Sequence, residues 1–304
     1  MTFLCFRKML PLVLMGLAGC GEKPAPVASA AAPASAAAHV PEQAQPAMAV
    51  RSIRWTDELL HTEIKHYNPA YEGGGQFEMD NGMPVNVVIA DQKVDNLRCF
   101  EGIPLRGLDI SNTNVSDLGP LKGMPLEALM MERTRVSDLS PLKAAQLKQL
   151  YISGTAVHDL SPLEGMPLIE FNAVGTPVAD LAPLAKSPLR MLWLTGCPVV
   201  DLTPLHGLPL VSLTLHRTKV KDLSPLSGTT LQRLHIGETP VEDLSPLKGL
   251  SLTRLVFTPG NIKAGLDVVR AMPLQEVGTR FDDDGKDLAA PETFWATQPP
   301  AAGK

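Results

Sequence analysis

Residues 126–142 of the chain read LEALMMERTRVSDLSPL, and variants of this phrase recur every 21 residues along the middle of the sequence. The leucines that open the phrase are Leu105, Leu126, Leu147, Leu168, Leu189, Leu210, Leu231 and Leu252. A fixed period of this length indicates a solenoid, because one short coil cannot bury its apolar side without its neighbours. The sequence therefore predicts a repeat protein.

The positions of the apolar residues within a repeat predict which side chains form the core. The L-x-L alternation has the period of two that is typical of a strand. Leu108 and Ile110 should therefore point inward, while Gly107, Asp109 and Ser111 should point outward. The segment Asp-Leu-Ser-Pro-Leu suits a short turn on the opposite side, because proline is well tolerated in the first turn of a helical segment.

The motif L-x-x-L-x-L-x-x-T-x-V-x-D-L-S-P-L resembles the leucine-rich repeat, and within it the short internalin-like variety of bacteria. The chain departs from that variety in having threonine where asparagine is common, and in a repeat that is one residue shorter. The resemblance implies an α/β fold. We expect a solenoid with a parallel β-sheet on its concave side, short 3₁₀ turns on its convex side and a helical N-terminal cap.

Composition and pattern divide the chain into five predicted segments. These are a signal peptide over residues 1–19, an Ala- and Pro-rich tether over 20–50, an N-terminal cap over 51–83, about ten coils over 84–279, and a C-terminal cap and tail over 280–304. Within the first cap, Thr56 should begin a capped helix that runs to Tyr67 and stops at Asn68-Pro69. Residues 291–295 are similar to the C-terminal helix of other bacterial repeat proteins of this kind.

The first twenty residues resemble the signal of bacterial lipoproteins. Arg7 and Lys8 precede an apolar stretch, and residues 17–20, LAGC, match the lipobox at all four positions. The resemblance implies that Cys20 becomes the first mature residue and is acylated, which anchors the protein in a membrane of the bacterial cell envelope. Gly21 stands where the inner-membrane retention signal usually has aspartate, so the outer membrane is favoured, with the domain in the periplasm or at the cell surface. An ordinary signal peptide cut nearby is the alternative.

Composition and missing motifs argue against several functions. A net charge of −5 and a pI near 5.8 disfavour nucleic-acid binding. The HExxH, GxSxG, Walker and dinucleotide-binding motifs are missing from the sequence. Residues 282–285, DDDG, begin like a calcium-binding loop, but Lys286 stands where such a loop needs a ligand, so we expect a polar turn there. We expect a monomer that is not an enzyme and needs no cofactor or metal.

Two polar columns should follow the solenoid from coil to coil. One column is formed by aspartates, namely Asp117, Asp138, Asp159, Asp180, Asp201, Asp222 and Asp243. We expect each to satisfy the backbone of its own turn rather than to bind Ca²⁺. The other column is formed by Thr113, Thr134, Thr155, Thr176, Thr218 and Thr239, whose hydroxyls we expect to bond neighbouring coils together.

Two cysteines lie within the repeats. Cys197 takes one place in the threonine column, and Cys99 lies on the convex turn of the leading coil. Five coils place them about 24 Å apart, which is too far for a disulfide. Both are predicted to be free thiols.

The outward strand positions differ between coils, and ligands of leucine-rich repeats usually meet them. The candidate binding residues are Met130, Tyr151, Asn172, Met191, Trp193, His216, Arg233, His235 and Arg254. Tyr151 and Trp193 lie two coils apart in one column, about 10 Å, with methionines beside them. An exposed cluster of this composition is typical of a protein-binding hot spot. We therefore predict that an unidentified protein or peptide docks on the concave face.

Three alternatives stay open at this point. The two rings of Tyr151 and Trp193 could lie flat and merely cover the sheet. The protein could be a structural envelope scaffold without a dedicated ligand. It could also bind glycan or peptidoglycan, with the same two rings as stacking platforms.

Overall fold

The computed structural model describes residues 54–280 and 287–297 of the chain. The predicted signal peptide, Cys20, the tether over residues 20–50 and the DDDG segment lie outside the described residues.

Each coil contributes one strand, in which an inward apolar residue is flanked by outward neighbours. In the described part of the chain, eleven strands form one sheet in sequence order. They are β1 (Gln76–Asp80), β2 (Met83–Val88), β3 (Gly107–Asp109), β4 (Ala128–Met130), β5 (Gln149–Tyr151), β6 (Glu170–Asn172), β7 (Met191–Trp193), β8 (Ser212–Thr214), β9 (Arg233–His235), β10 (Arg254–Val256) and β11 (Glu276–Gly278). Strands β2 to β11 run parallel, which confirms the predicted parallel sheet.

The opening leucines form one continuous buried column behind the sheet. All eight are buried, and the inward residues of the strands, such as Leu108 and Ile110, are buried with them. Full burial of one leucine or valine side chain contributes roughly 1.5–3 kcal/mol, and stacking the coils repeats this gain. The predicted core positions are therefore confirmed.

Short 3₁₀ turns form the convex side, and the seven aspartates each cap one of them. The capped turns are Gly119–Leu121, Ser140–Leu142, Ser161–Leu163, Ala182–Leu184, Thr203–Leu205, Ser224–Leu226 and Ser245–Leu247. The leading turn, Arg98–Phe100, has Asn96 in place of the aspartate, and a further 3₁₀ turn, Pro259–Asn261, follows β10. A typical cap is Asp138, whose carboxylate accepts hydrogen bonds from the backbone N–H of Ser140 at 2.8 Å and from its hydroxyl at 2.7 Å. The Ser140 hydroxyl and then its backbone N–H hold the pKa of the Asp138 carboxyl below its usual range. The predicted capping role of this column is confirmed.

The hydroxyls of the threonine column do not bond the backbone of neighbouring coils, so that prediction is wrong. The hydroxyl of Thr134 donates to the carbonyl of Met131 in its own coil at 2.8 Å, and the other members of the column repeat this bond. The physical reason is that the carbonyl three residues earlier, at the end of the strand, is already within reach of the hydroxyl. Cys197 differs, since its Sγ lies 3.0 Å from the carbonyl oxygen of Ala173 in the preceding coil.

The N-terminal cap combines a helix with a β-hairpin. Helix α1 (Asp57–Tyr67) begins after Thr56, whose Oγ1 accepts a hydrogen bond from Leu59 N at 3.2 Å, as predicted. Strand β1 pairs with β2 in the antiparallel direction and was not among the predicted elements. Asn81 and Gly82 join the two strands with φ of 51° and 78°, the conformation that a tight hairpin turn requires.

At the other end, helices close the last coils. Helix α2 (Leu266–Arg270) takes the place of a 3₁₀ turn, and α3 (Pro291–Thr297) follows β11. Phe294 of α3 is buried, with its ring 5.9 Å from that of Phe257, so α3 covers the end of the core as predicted. No helix within the described ranges is long and apolar enough to cross a membrane.

Candidate functional site

The outward side chains of the strands form the concave face, in two columns that follow the sheet register. The central column is Asp109, Met130, Tyr151, Asn172, Trp193, Thr214, His235 and Val256. The flanking column is Gly107, Ala128, Gln149, Glu170, Met191, Ser212, Arg233, Arg254 and Glu276. Neighbours in a column lie about 4.8 Å apart.

The two aromatic residues of the central column contact each other across the strand between them. Their ring centroids lie 6.1 Å apart with an interplanar angle of 68°, an edge-to-face arrangement. The hydroxyl of Tyr151 donates to Glu170 at 2.6 Å, which holds its ring in place. Tyr151, Trp193 and Met191 are half-buried, so these side chains cover part of the sheet and also leave a surface for a partner.

Two predicted site residues are much less accessible than expected. Met130 is only 7% exposed and lies in register between Asp109 and Tyr151. His216 is 4% exposed. Its ring occupies space that Gly237 leaves empty, since a Cβ on Gly237 would lie 2.9 Å from His216 Nδ1. The expectation that these two residues are exposed is therefore wrong.

The strands beyond Trp193 carry the remaining predicted residues. His235 is half-buried, and burial, followed by the positive charges of Arg254 and Arg233, lowers its pKa to about 4. Arg254 pairs with Glu276, with Nε 2.6 Å from Oε2, while Arg233 is exposed. Burial also lowers the pKa of His216, although Glu238 at 3.6 Å opposes this shift.

The structure thus places the predicted residues in two groups on one face. Tyr151, Asn172, Met191 and Trp193 lie on the adjacent strands β5 to β7, where Asn172 accepts hydrogen bonds from the Ser153 hydroxyl at 2.7 Å and from a backbone N–H. The second group lies on and beside β8 to β10. Sequence reasoning missed Glu170, although its outward position beside Tyr151 in the repeat register could have revealed it.

The cysteines of the repeats have no geometry suited to nucleophilic chemistry. Cys99 and Cys197 are both free thiols, as predicted, and both are buried. Burial raises the pKa of the Cys99 thiol to about 12 and raises that of Cys197, which keeps both protonated near neutral pH. Within residues 54–280 and 287–297 no cluster of three or more His, Cys, Asp or Glu residues could hold a metal ion.

Comparison with known structures places this architecture among the leucine-rich-repeat solenoids of internalins. An internalin (inlF) from Listeria monocytogenes matches with a TM-score of 0.62 and 24% identity, over 77% of this chain and 73% of that protein. Internalin C2 (inlC2) from the same organism matches with a TM-score of 0.57 and 24% identity, over 67% of this chain and 95% of that protein. Neither the family models nor the curated proteins yield a match. The chain therefore has the internalin-like leucine-rich-repeat fold.

Proposed function

We propose that this chain is a non-catalytic protein-interaction module whose partner docks on the concave face around Tyr151, Met191 and Trp193. The observation that carries the proposal is the edge-to-face pair of Tyr151 and Trp193, half-buried and still accessible. Glu170 holds the tyrosine ring, so little side-chain freedom remains to be lost on binding. Aromatic side chains in such a setting are typical anchors of protein interfaces.

The fold supports the same proposal. Solenoids of this kind present extended concave surfaces, and their coil-to-coil variation lies in the outward positions. Here those positions vary from Gly107 through Tyr151 to Arg254, while the inward positions stay apolar. Recognition can therefore be encoded on the concave face without changing the core.

In-cell photo-crosslinking tests this proposal. A photo-reactive amino acid at position 212, in register with Met191, should trap one dominant partner protein. The matched control is position 200, because Val200 is 58% exposed and lies outside the strands. The same dominant adduct from both positions, or no adduct from position 212, would count against docking on the concave face and favour a scaffold without a dedicated ligand.

Substitutions in the aromatic pair supply the quantitative test. Trp193→Ala and Tyr151→Ala should each weaken binding of the trapped partner by more than about 1 kcal/mol, while the thermal midpoint changes little. Tyr151→Phe keeps the ring and removes the hydroxyl that bonds Glu170, so its effect should be smaller. If both alanine variants bind normally, the partner does not use this site. Binding of purified cell wall that both variants lose would instead identify a glycan ligand.

We also propose that Cys20 is acylated and anchors the protein in the bacterial envelope, with the outer membrane favoured. The support is the lipobox, residues 17–20, and Gly21 after it. Cells fed an alkyne analogue of palmitate should label the wild type and Cys5→Ala, but not Cys20→Ala. Equal labelling of Cys20→Ala would refute the anchor, and it would leave the proposal about the concave face unaffected.

A further inference from the structure

From β3 to β10, the charged residues at the outward strand positions of the concave face are sorted by sign, and Glu276 follows on β11. On β3 to β6, the outward positions carry Asp109 and Glu170 and no lysine or arginine. On β7 to β10, they carry Arg233 and Arg254 and no carboxylate. The protein as a whole has a net charge of −5, so this positive region is a local feature of the second half of the face.

The two arginines are direct neighbours in the sheet register. Arg233 and Arg254 pair across β9 and β10, where like charges facing each other are unfavourable. Glu276 neutralises Arg254 from the far side. Arg233 is exposed and forms no ion pair with any residue that the structure describes. Among the described residues, the charge of Arg233 is therefore not neutralised, whereas that of Arg254 is.

The arginines also act on the central column. Burial is the main cause of the lowered pKa of His235, and the positive charges of Arg254 and Arg233 add to it.

We propose that the second half of the concave face recognises an acidic segment of the partner, with a carboxylate on Arg233 and a large apolar residue against Trp193 and Met191. This inference rests on the proposed function and specifies the chemistry of the partner. Met191 and Arg233 lie two strands apart in one column, about 10 Å, and Trp193 lies about 12 Å from Arg233 on the diagonal, spans that about three to four residues of extended peptide cover. The recognised segment therefore carries an acidic residue two to four positions from an aromatic or large aliphatic residue.

A peptide selection tests this chemistry with a defined probe. A random twelve-residue peptide library displayed on phage is panned against the full chain and, in parallel, against the bare support. The enriched clones should be acidic, with the spacing given above. The strongest clone, made as a fluorescent synthetic peptide, should bind at least fivefold more weakly to Arg233→Gln. Arg233→Lys, which keeps the charge, should recover most of the affinity.

Arg135→Gln is the matched control, because Arg135 is exposed, lies outside the strands and loses the same charge. It should bind like the wild type, and all variants should keep the wild-type thermal midpoint. Raising the salt concentration should weaken the wild type more than Arg233→Gln, because the lost interaction is electrostatic. A spectroscopic readout is also available, since a bound carboxylate should raise the pKa of His235.

The outcomes separate this inference from the proposed function. Neutral or basic clones that still require Trp193 would overturn the inference and leave docking on the concave face intact. Clones that bind equally well to Arg233→Gln and to Trp193→Ala would overturn both. If no peptide is enriched over the bare support, recognition of a linear acidic segment is wrong, and the crosslink at position 212 then decides the proposed function by itself.

Discussion

Asn68 holds helix α1 against the first coil, and Asn68→Asp tests how much of the N-terminal cap depends on it. The side chain is 2% exposed and forms four hydrogen bonds. Its Nδ2 donates to the carbonyls of Ile64 at 3.1 Å and Asn96 at 2.9 Å. Its Oδ1 accepts from the backbone N–H groups of Asp95 at 3.0 Å and Asn96 at 2.9 Å.

An aspartate of the same shape keeps the two accepted bonds and loses the two donated ones. Two lost hydrogen bonds cost about 2 kcal/mol, and leaving two buried carbonyls beside a carboxylate adds at least about 1 kcal/mol more. We therefore expect Asn68→Asp to lower the free energy of unfolding of the cap by about 3–5 kcal/mol at pH 7. The penalty should shrink as the pH falls toward about 4, because a protonated carboxyl can again donate one bond.

Hydrogen exchange read peptide by peptide measures this effect, because coils of a solenoid open locally rather than all at once. Amides of α1 and of the turn Arg98–Phe100 should exchange faster in Asn68→Asp, while those of β7 to β9 should not change. Asn114→Asp is the matched control, since Asn114 is exposed, and it should change stability by less than about 0.5 kcal/mol. Equal protection of the cap in the two variants at pH 7 would refute this reasoning.

Three further outcomes follow from the structure. His235 is held neutral with a pKa of about 4 against an ordinary value of 6.5, so stability should be highest above pH 6.5 and fall by up to about 3 kcal/mol toward pH 4. Urea unfolding across this range measures the fall, which should be smaller in His235→Gln. The capping aspartates have lowered pKa values, so they contribute to the free energy of unfolding above the ordinary pKa of 3.8, and this contribution is lost as the pH falls below it. Unfolding measured below pH 4 should therefore show a second decrease in stability, and His235→Gln should show the same decrease. Gly265→Ala should lower the free energy of unfolding by more than about 3 kcal/mol, because a Cβ there would lie 2.2 Å from the backbone nitrogen of Ser245. Gly123 has a similar positive φ, but no atom lies within 4 Å of the position of its Cβ. Gly123→Ala should therefore lower the free energy of unfolding by only about 1 kcal/mol, as measured by thermal unfolding.

The repeat explains why so much of the fold could be predicted from the sequence. Every coil must bury the same positions, so the spacing of Leu105, Leu126 and their successors reports the stacking directly. The capping of helix α1 by Thr56 is equally local, because its partner lies three residues away. Predictions of this kind need no knowledge of distant contacts.

The features that were mispredicted depend on what lies next to a side chain in space. The burial of His216 results from the missing side chain of Gly237 in the following coil. The threonine hydroxyls had two possible kinds of acceptor, and only the geometry of the strand end selects the carbonyl of their own coil. The bond from Tyr151 to Glu170 likewise requires the rotamers of both residues.

That local bonding of the threonines has an evolutionary consequence. Because the threonine and aspartate of a coil bond to the backbone of that same coil, removing or duplicating a complete 21-residue repeat leaves these side chains with their acceptors and donors. The new junction would join a coil to an equivalent one, with the same leucines meeting across it. Gene-level gain or loss of repeats can therefore lengthen or shorten this surface in steps of about 4.8 Å without a new folding problem at each step.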